Sequence, residues 1–205
     1  MRYIILMQPS DATVVLPVKS EPYLSQLLSE LNQQTYKEIL IQTEQGLGYA
    51  VMQGIKKAQG KCCVILDSDG SHTPQVIPAM LELLTEDTAI VIGSRYIKGG
   101  KSLDSFSRKV ISRTYCKFAK ALFHLNITDN MSGFIAAKTE VFQKYPISNK
   151  GFKFGLETLV KTKGIYKATE YPITFEKRKT GKSKAGIGQG IGTFFFMIKL
   201  WWKTR

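Results

Sequence analysis

The first half of the chain alternates short apolar runs with amphipathic segments. Residues 13–17 form a continuous apolar run, and leucines at helical spacing follow it at positions 24, 27, 28 and 31. This pattern predicts a buried strand that leads into a helix. Three further strands are predicted from similar runs, at residues 38–41, 62–66 and 89–93, and two helices lie between them, around residues 51–58 and 76–84. Strands that are apolar on both faces and alternate with helices indicate an α/β, Rossmann-like fold: a mostly parallel sheet with helices on both faces.

The pattern changes after Gly93. Residues 94–105 are rich in Gly and Lys and predict a mobile loop. The remaining elements are predicted in the order of a helix from Phe106, a strand at 133–137, a helix at 154–160 and a strand at 168–175. Neither an internal repeat nor a low-complexity linker interrupts the chain. We therefore expect one compact domain over residues 1–186, followed by a C-terminal helix over residues 187–205.

The last segment combines aromatic side chains with cations. Its apolar positions recur at helical spacing, at Ile187, Ile191, Phe194, Phe195, Ile198 and Trp201. A helix over residues 190–202 would be about 20 Å long, about two-thirds of the roughly 30 Å hydrocarbon core of a bilayer. It can lie in a membrane interface without spanning the membrane. The alternative is a helix that docks on the core of the domain or on a membrane partner.

The charge balance is strongly basic. The 205 residues contain 29 Lys and Arg against 16 Asp and Glu, a formal net charge of +13. Such an excess favours polyanionic partners, namely nucleic acid, phosphorylated small molecules or an anionic membrane surface. A basic nucleic-acid-binding module is one alternative, but no zinc-finger, RNP or helix-turn-helix pattern supports it. Without a signal peptide or a CxxC pair, the sequence predicts a cytoplasmic protein with reduced cysteines.

Polar residues follow each predicted strand of the first half. Ligands bind beyond the carboxyl ends of parallel strands, so these positions are candidates for chemistry. Glu21 follows the first strand, Glu44 the second, Asp67 and Asp69 the third, and Arg95 the fourth. We expect them to converge on one edge of the sheet.

The segment LDSDG after the third strand is the strongest candidate metal site. Asp67 and Asp69 are separated by Ser68, and Gly70 allows a sharp turn. Two carboxylates with oxygen-only neighbours suit Mg²⁺ or Mn²⁺, which would hold the oxygens of a diphosphate. A turn with a helix cap is the alternative. For His72 we expect a positioning or hydrogen-bonding role rather than metal binding.

Eight segments in order resemble one known family. They are VVLPVKSE, GLGYAVMQGIKKAQG, LDSDGSHTPQVIP, GSRYIKGG, SRKVISR, ITDNMSGF, GFKFGLETLVK and EYPITFEKRKTGKSK. Together they resemble glycosyltransferase family 2, and within it the polyprenyl-phosphate (dolichol-phosphate) mannose synthases and their glucosyl relatives. The resemblance implies a GT-A type fold.

The resemblance also implies roles for individual residues. Pro17 and Glu21 would line the nucleoside pocket. Lys19 and Glu44, at positions where the chain departs from the family, are further candidate substrate-binding residues. Asp67 and Ser68 would meet the nucleotide, and the metal ligands would be Asp67, Asp69 and Ser71. Further substrate-binding positions, several of them for phosphate, would be Arg95, Arg108, Ser112, Arg178 and Lys184. The implied catalytic residues are Asp69, Arg95 and Asp129, and Glu157 matches a further acidic position.

The sequence departs from the family at several positions. Lys19 and Ser20 stand where an aromatic residue and Asn are usual, ILIQTEQGLG lacks the usual second-strand Asp pair, and Ile135 replaces a common Arg. We expect GDP-mannose as the donor, with UDP-glucose as the alternative. A member of the family that binds nucleotide or lipid without turnover is a further alternative.

The expected reaction needs no activated nucleophile. A phosphate monoester already carries an anionic oxygen at neutral pH, because its second pKa is near 6. We expect an inverting, metal-dependent displacement in which polyprenyl or dolichyl phosphate accepts a hexose from a nucleotide sugar. The expected partners are therefore these two substrates, a membrane surface and a small membrane subunit, but no nucleic acid. The expected location is peripheral, on the cytosolic face of a membrane.

Overall fold

A computed structural model describes residues 7–18, 22–43, 46–147, 153–177 and 187–204. The strands are β1 (Ala12–Pro17), β2 (Glu38–Gln42), β3 (Cys62–Ile65), β4 (Thr88–Ser94), β5 (Lys101–Ser102), β6 (Ile135–Lys138), β7 (Lys167–Pro172) and β8 (Thr174–Phe175). The helices are α1 (Leu24–Asn32), α2 (Leu47–Lys57), α3 (Ile77–Glu82), α4 (Phe106–Phe123), α5 (Thr139–Lys144), α6 (Phe154–Lys161) and α7 (Ile187–Lys203). Short 3₁₀ turns cover Pro9–Asp11 and Pro74–Val76.

Six strands form the central sheet in the order β2-β1-β3-β6-β4-β7. All are parallel except β6, which pairs antiparallel with β3 on one side and β4 on the other. Ile135, the first residue of β6, is opposite Ile65 near the end of β3 and Ile92 near the end of β4. The prediction of a mostly parallel sheet is therefore confirmed, with one reversed strand at its centre.

Helices cover both faces of the sheet, as the apolar strands predict. Neighbouring residues of β1 point to opposite faces, so Val14 belongs to one apolar core and Val15 to the other. Helices α1 and α3 pack on the Val14 side, and α2, α5 and α6 pack on the Val15 side together with part of α4 and α7. The carboxyl ends of β1, β3 and β4 are left at one edge.

Helix α7 docks on the domain by one side only. Met197 and Leu200 are buried in the Val15 core, and the Phe194 ring lies 5.5 Å from the Phe118 ring of α4. On the other side, Phe195 and Trp202 are 66% and 71% exposed. None of the helices in the described ranges is both long and apolar enough to cross a bilayer. Docking on the domain's own core thus accounts for one side of α7, and its membrane contact stays a prediction.

The predicted loop over residues 94–105 contains a short strand that the sequence did not predict, and its mobility stays a prediction. Strand β5 within this segment pairs in parallel with β8. The Lys101 amide donates to the Ile173 carbonyl at 2.8 Å, and the Leu103 amide donates to the Phe175 carbonyl at 2.9 Å. These hydrogen bonds hold the segment against the chain that follows β7. The composition concealed the pairing because each strand is only two residues long.

Candidate active site

Three chain segments meet at the edge where β3 and β4 end. Asp67 and Asp69 follow β3, and Arg95 follows β4. Because β6 is reversed, its start lies at the same edge, so the preceding loop delivers Asp129 there as well. The predicted convergence is observed for Asp67, Asp69 and Arg95, and Asp129 joins them from the loop before β6.

The LDSDG loop fixes the orientation of Asp69. Gly70 has a φ of 77°, in the left-handed region that favours glycine, and the chain turns sharply there. The turn directs both the amide and the hydroxyl of Ser71 to donate to Asp69 Oδ1. The Ser68 hydroxyl donates to the Pro17 carbonyl at 3.0 Å and ties the loop to the end of β1. Asp69 is therefore buried and oriented before any ligand binds.

Asp67 faces the loop that precedes β6. A Cβ atom placed on Gly133 would lie 3.5 Å from both Asp67 carboxylate oxygens. A side chain at position 133 would therefore be in van der Waals contact with the carboxylate. Glycine at this position leaves the Asp67 oxygens uncovered on that side.

His72 supports the loop as a neutral imidazole. Its Nδ1 accepts a hydrogen bond from the Asp67 amide at 3.0 Å, so the ring proton is on Nε2. The ring is buried against Phe134 and Phe175, with centroids 4.9 and 5.3 Å away. Burial lowers the pKa of His72 against the opposing effect of nearby carboxylates. The expected positioning role agrees with this hydrogen bond.

Arg95 is held by a bidentate ion pair with Asp129. Its Nε donates to Asp129 Oδ2 and its Nη2 to Oδ1, both at 2.7 Å, and its backbone amide donates to Oδ2 at 2.9 Å. The Asp129 side chain is fully buried, and that of Arg95 is 11% exposed. Burial opposes the charge of Arg95, but the hydrogen bonds and charge of Asp129 outweigh it and raise its pKa. Asp129 thus positions Arg95, and direct contact between Asp129 and substrate stays a prediction.

Aromatic rings and a serine complete the surroundings of Arg95. Its guanidinium carbon lies 4.9 Å from the Tyr96 ring centroid and 5.3 Å from that of Phe175. Its Nη2 also donates to the Ser112 hydroxyl of α4 at 3.2 Å. Arg113 lies over the Tyr96 ring as a second cation, at 5.1 Å. The predicted residues Arg95 and Ser112 are therefore in direct contact.

The acidic pair fits a hard divalent cation that is shared with a phosphorylated ligand. Asp67 and Asp69 provide oxygen donors only, and the described residues contain no group of three His, Cys, Asp or Glu that could enclose a metal ion alone. Mg²⁺ commonly binds through one or two carboxylates together with substrate phosphates and water. The Ser71 hydroxyl donates to Asp69, so its predicted contact with the metal remains a prediction.

The other predicted residues are placed less directly. Five of them lie outside the described residues, namely Lys19, Glu21, Glu44, Arg178 and Lys184. Arg108 lies one turn before Ser112 on α4, with its side chain 46% exposed and 3.6 Å from Asp104. Glu157 is buried in α6 and pairs with Lys161 at 2.8 Å. The substrate-binding role of Arg108 stays a prediction.

Sequence reasoning missed two residues of this edge. Glu170 of β7 accepts hydrogen bonds from the Thr128 and Asp129 amides at 2.8 and 2.9 Å, and so fixes the loop that carries Asp129. Lys153 immediately precedes α6, whose first turn packs on Ser132 in the loop that carries Asp129. Glu170 could have been found from the sequence, because it is an acidic residue within a predicted strand. Lys153 is in a family-like segment, but no residue nearby in sequence connects it to the site.

Comparison with known proteins identifies the family. The model of glycosyl transferase family 2 matches residues 19–146. The chain is 41% identical over 144 residues to a dolichol-phosphate mannosyltransferase of Pyrococcus furiosus, an alignment that covers 69% of this chain and 41% of the relative. It is 34% identical over 155 residues to an undecaprenyl-phosphate mannosyltransferase of Micrococcus luteus, covering 71% of this chain and 63% of the relative. The chain thus spans less than two-thirds of the length of these curated relatives.

The fold is also found in solved structures. The chain matches glucosyl-3-phosphoglycerate synthase from Mycobacterium tuberculosis, whose crystal structure contains Mn²⁺, UDP-glucose and phosphoglyceric acid, with a TM-score of 0.74. The match covers 93% of this chain and 79% of the synthase at 13% identity, which establishes a shared fold. Sequence relatives and the matching family model together show that the chain belongs to glycosyl transferase family 2.

Proposed function

We propose that this chain transfers a hexose from a nucleotide sugar to a polyprenyl phosphate. The observation that carries the proposal is the placement of Arg95, fixed by Asp129, at the same sheet edge as the Asp67 and Asp69 carboxylates. An acidic pair that can share a cation with a diphosphate and an oriented guanidinium form a site for two phosphorylated substrates. The names of the relatives, which are polyprenyl-phosphate mannosyltransferases, support this acceptor class.

The proposed donor is GDP-mannose. Its support is the sequence identity to mannosyltransferases. UDP-glucose remains the alternative donor, because the second strand lacks the usual Asp pair and the predicted nucleoside contacts Glu21 and Glu44 lie outside the described residues.

In the proposed reaction, the residues of the chain mainly position two anions. Arg95 commits Nε and Nη2 to Asp129, so Nη1 is the nitrogen that can donate to a phosphate oxygen of a substrate. An oxygen of the acceptor phosphate bonds to the anomeric carbon while the bond from that carbon to the nucleoside diphosphate breaks, which inverts the configuration. Mg²⁺ or Mn²⁺, when held by Asp67 and Asp69, supplies Lewis-acid stabilisation of the departing diphosphate.

A substrate screen tests this function. Purified chain is incubated with GDP-mannose or UDP-glucose and a short polyprenyl phosphate, with Mn²⁺ or with excess chelator. We expect hexosyl-phosphoprenol to form only with metal, because the two aspartates alone cannot neutralise a diphosphate. We expect more product with GDP-mannose than with UDP-glucose. Product that forms equally with chelator would contradict the metal role. Complete absence of product with both donors would contradict the transfer itself.

We further propose that α7 holds the chain peripherally on the cytosolic face of a membrane. Its outer side combines the exposed Phe195 and Trp202 with the exposed cations Lys199 and Lys203, a composition suited to an anionic interface. A small membrane subunit is the competing occupant of this side.

A vesicle flotation experiment distinguishes binding of α7 to a membrane from its binding to a small membrane subunit. Removing α7 would also remove Met197 and Leu200 from the core, so point variants are preferable. We expect Phe195→Glu with Trp202→Glu to reduce flotation with phosphatidylglycerol vesicles at least about tenfold, because two aromatic side chains lose their apolar environment. Ile165→Glu, at another exposed apolar position, should float like the wild type. Weak flotation of the wild type itself would favour the subunit.

A further inference from the structure

We propose that Lys153 is a further binding residue of this site and that its ammonium contacts a phosphate group of the bound substrate. The inference rests on the proposed function, because it needs a phosphorylated ligand at the edge formed by β3 and β4. It adds a third basic side chain to Arg95 and Arg113. Lys153 was not among the residues that the sequence assigned to the site.

The backbone of Lys153 is fixed against the loop that carries Asp129. Lys153 immediately precedes α6, and its carbonyl accepts the Glu157 amide at 3.1 Å. Two residues further on, a Cβ atom on Gly155 would lie only 2.9 Å from the Ser132 carbonyl oxygen. The start of α6 is therefore packed directly on residue 132. The neighbouring Gly133 is the position that faces the Asp67 carboxylate.

Among the residues that the structure describes, the partly buried Lys153 has no carboxylate partner of its own. The side chain is partly buried, and burial lowers its pKa, against the effects of Asp129 and Asp67 and together with that of Arg95. Within the described part of the chain, no ion pair joins Lys153 to an acidic residue. Asp129 is already committed to Arg95 through both oxygens.

An enclosed cation of this kind is costly until an anion arrives. Removing an ammonium from water without a partner is unfavourable, and the like charge of Arg95 adds repulsion. A phosphate group bound beside the Lys153 ammonium would offset both effects. Asp67 and Asp129 do not fully offset the charge of Lys153, and a phosphate group of the ligand would do so.

Two sources of phosphate share this chemistry, the diphosphate of the donor and the monophosphate of the acceptor. Titration calorimetry with two probes distinguishes them: GDP with Mn²⁺, and a short-chain polyprenyl monophosphate. The variants are Lys153→Met, which keeps the aliphatic stem, and Lys153→Arg, which keeps the charge. The matched control is Lys163→Met, at an exposed lysine beyond α6.

We expect Lys153→Met to bind one probe about 10- to 100-fold more weakly, since a hydrogen bond to a charged group is lost. Lys153→Arg should recover part of that affinity, and Lys163→Met should match the wild type. The probe whose affinity falls identifies the phosphate in contact. Without ligand, Lys153→Met should melt no lower than the wild type, because the enclosed cation has been removed.

Two results would overturn the inference while leaving the proposed function in place. One is binding of both probes by Lys153→Met within threefold of the wild type. The other is a fall in the melting temperature of ligand-free Lys153→Met, which would show that Lys153 stabilises the folded chain instead of binding the ligand. A wild-type chain that binds neither probe would instead overturn the proposed function, and this inference with it.

Discussion

Replacing Asp69 by Asn should reduce hexose transfer at least about 1000-fold with little loss of stability. The Asn side-chain carbonyl can still accept the hydrogen bonds from the Ser71 amide and hydroxyl, so the loop keeps its shape. The variant loses the charge that would hold a divalent cation against a diphosphate. A loss of about 4 kcal/mol of transition-state stabilisation corresponds to three powers of ten in rate. Initial rates with saturating Mn²⁺ and thermal melting of the same preparation measure both quantities.

Asp87→Asn is the matched control for this variant. Asp87 is exposed just before β4. Replacing it by Asn removes the same formal charge from a distant part of the surface. We expect its transfer rate and melting temperature to equal those of the wild type. If Asp69→Asn retained transfer within threefold of the wild type, the acidic pair would not be the metal site.

Replacing Asp129 by Asn should lower the free energy of unfolding by about 3–5 kcal/mol, because it leaves the Arg95 guanidinium buried without its carboxylate. The amide group cannot accept from Nε and Nη2 together, as the carboxylate does at 2.7 Å each. Transfer should also fall steeply, since Arg95 loses its fixed orientation. Urea denaturation followed by circular dichroism measures the stability, and the donor and acceptor KM values report the binding.

A double variant separates the two effects. Arg95→Met combined with Asp129→Asn removes the buried cation, and the Asn carbonyl can still accept the backbone amide of residue 95. It should regain much of the stability but none of the transfer. Glu140→Gln, which breaks the exposed Lys144–Glu140 pair at 3.0 Å, should leave both unchanged. A double variant as unstable as Asp129→Asn would show that Asp129 stabilises the fold independently of Arg95.

Most of the sheet could be predicted from local sequence. Strands β1 to β4 are largely apolar and the helices between them carry a clear apolar spacing, so β1 to β4 and α1 to α3 were predicted within a few residues of their observed bounds. The position of Asp67, Asp69 and Arg95 at one edge followed from the same alternation. These predictions succeeded because they depend only on where each strand ends.

The remaining features depend on contacts between distant parts of the chain. Asp129 could be matched to the family, but its pairing with Arg95, 34 positions earlier, has no local signal. The same holds for Glu170, which binds the amides of residues 128 and 129 from β7. Helix α5 was not predicted, because its only buried apolar side chains are the adjacent Val141 and Phe142, which show no helical spacing. Strand direction is equally invisible, and β6 resembles its parallel neighbours in composition.

The reversed strand β6 works as a spacer between opposite charges. Adjacent strands are about 4.8 Å apart, so inserting β6 keeps the ends of β3 and β4 about 10 Å from each other. Direct pairing of β3 with β4 would bring the LDSDG carboxylates against the guanidinium of Arg95, and the two would cancel in an internal ion pair. With the spacer in place, Arg95 pairs with Asp129 through both carboxylate oxygens instead of with the LDSDG carboxylates at the end of β3.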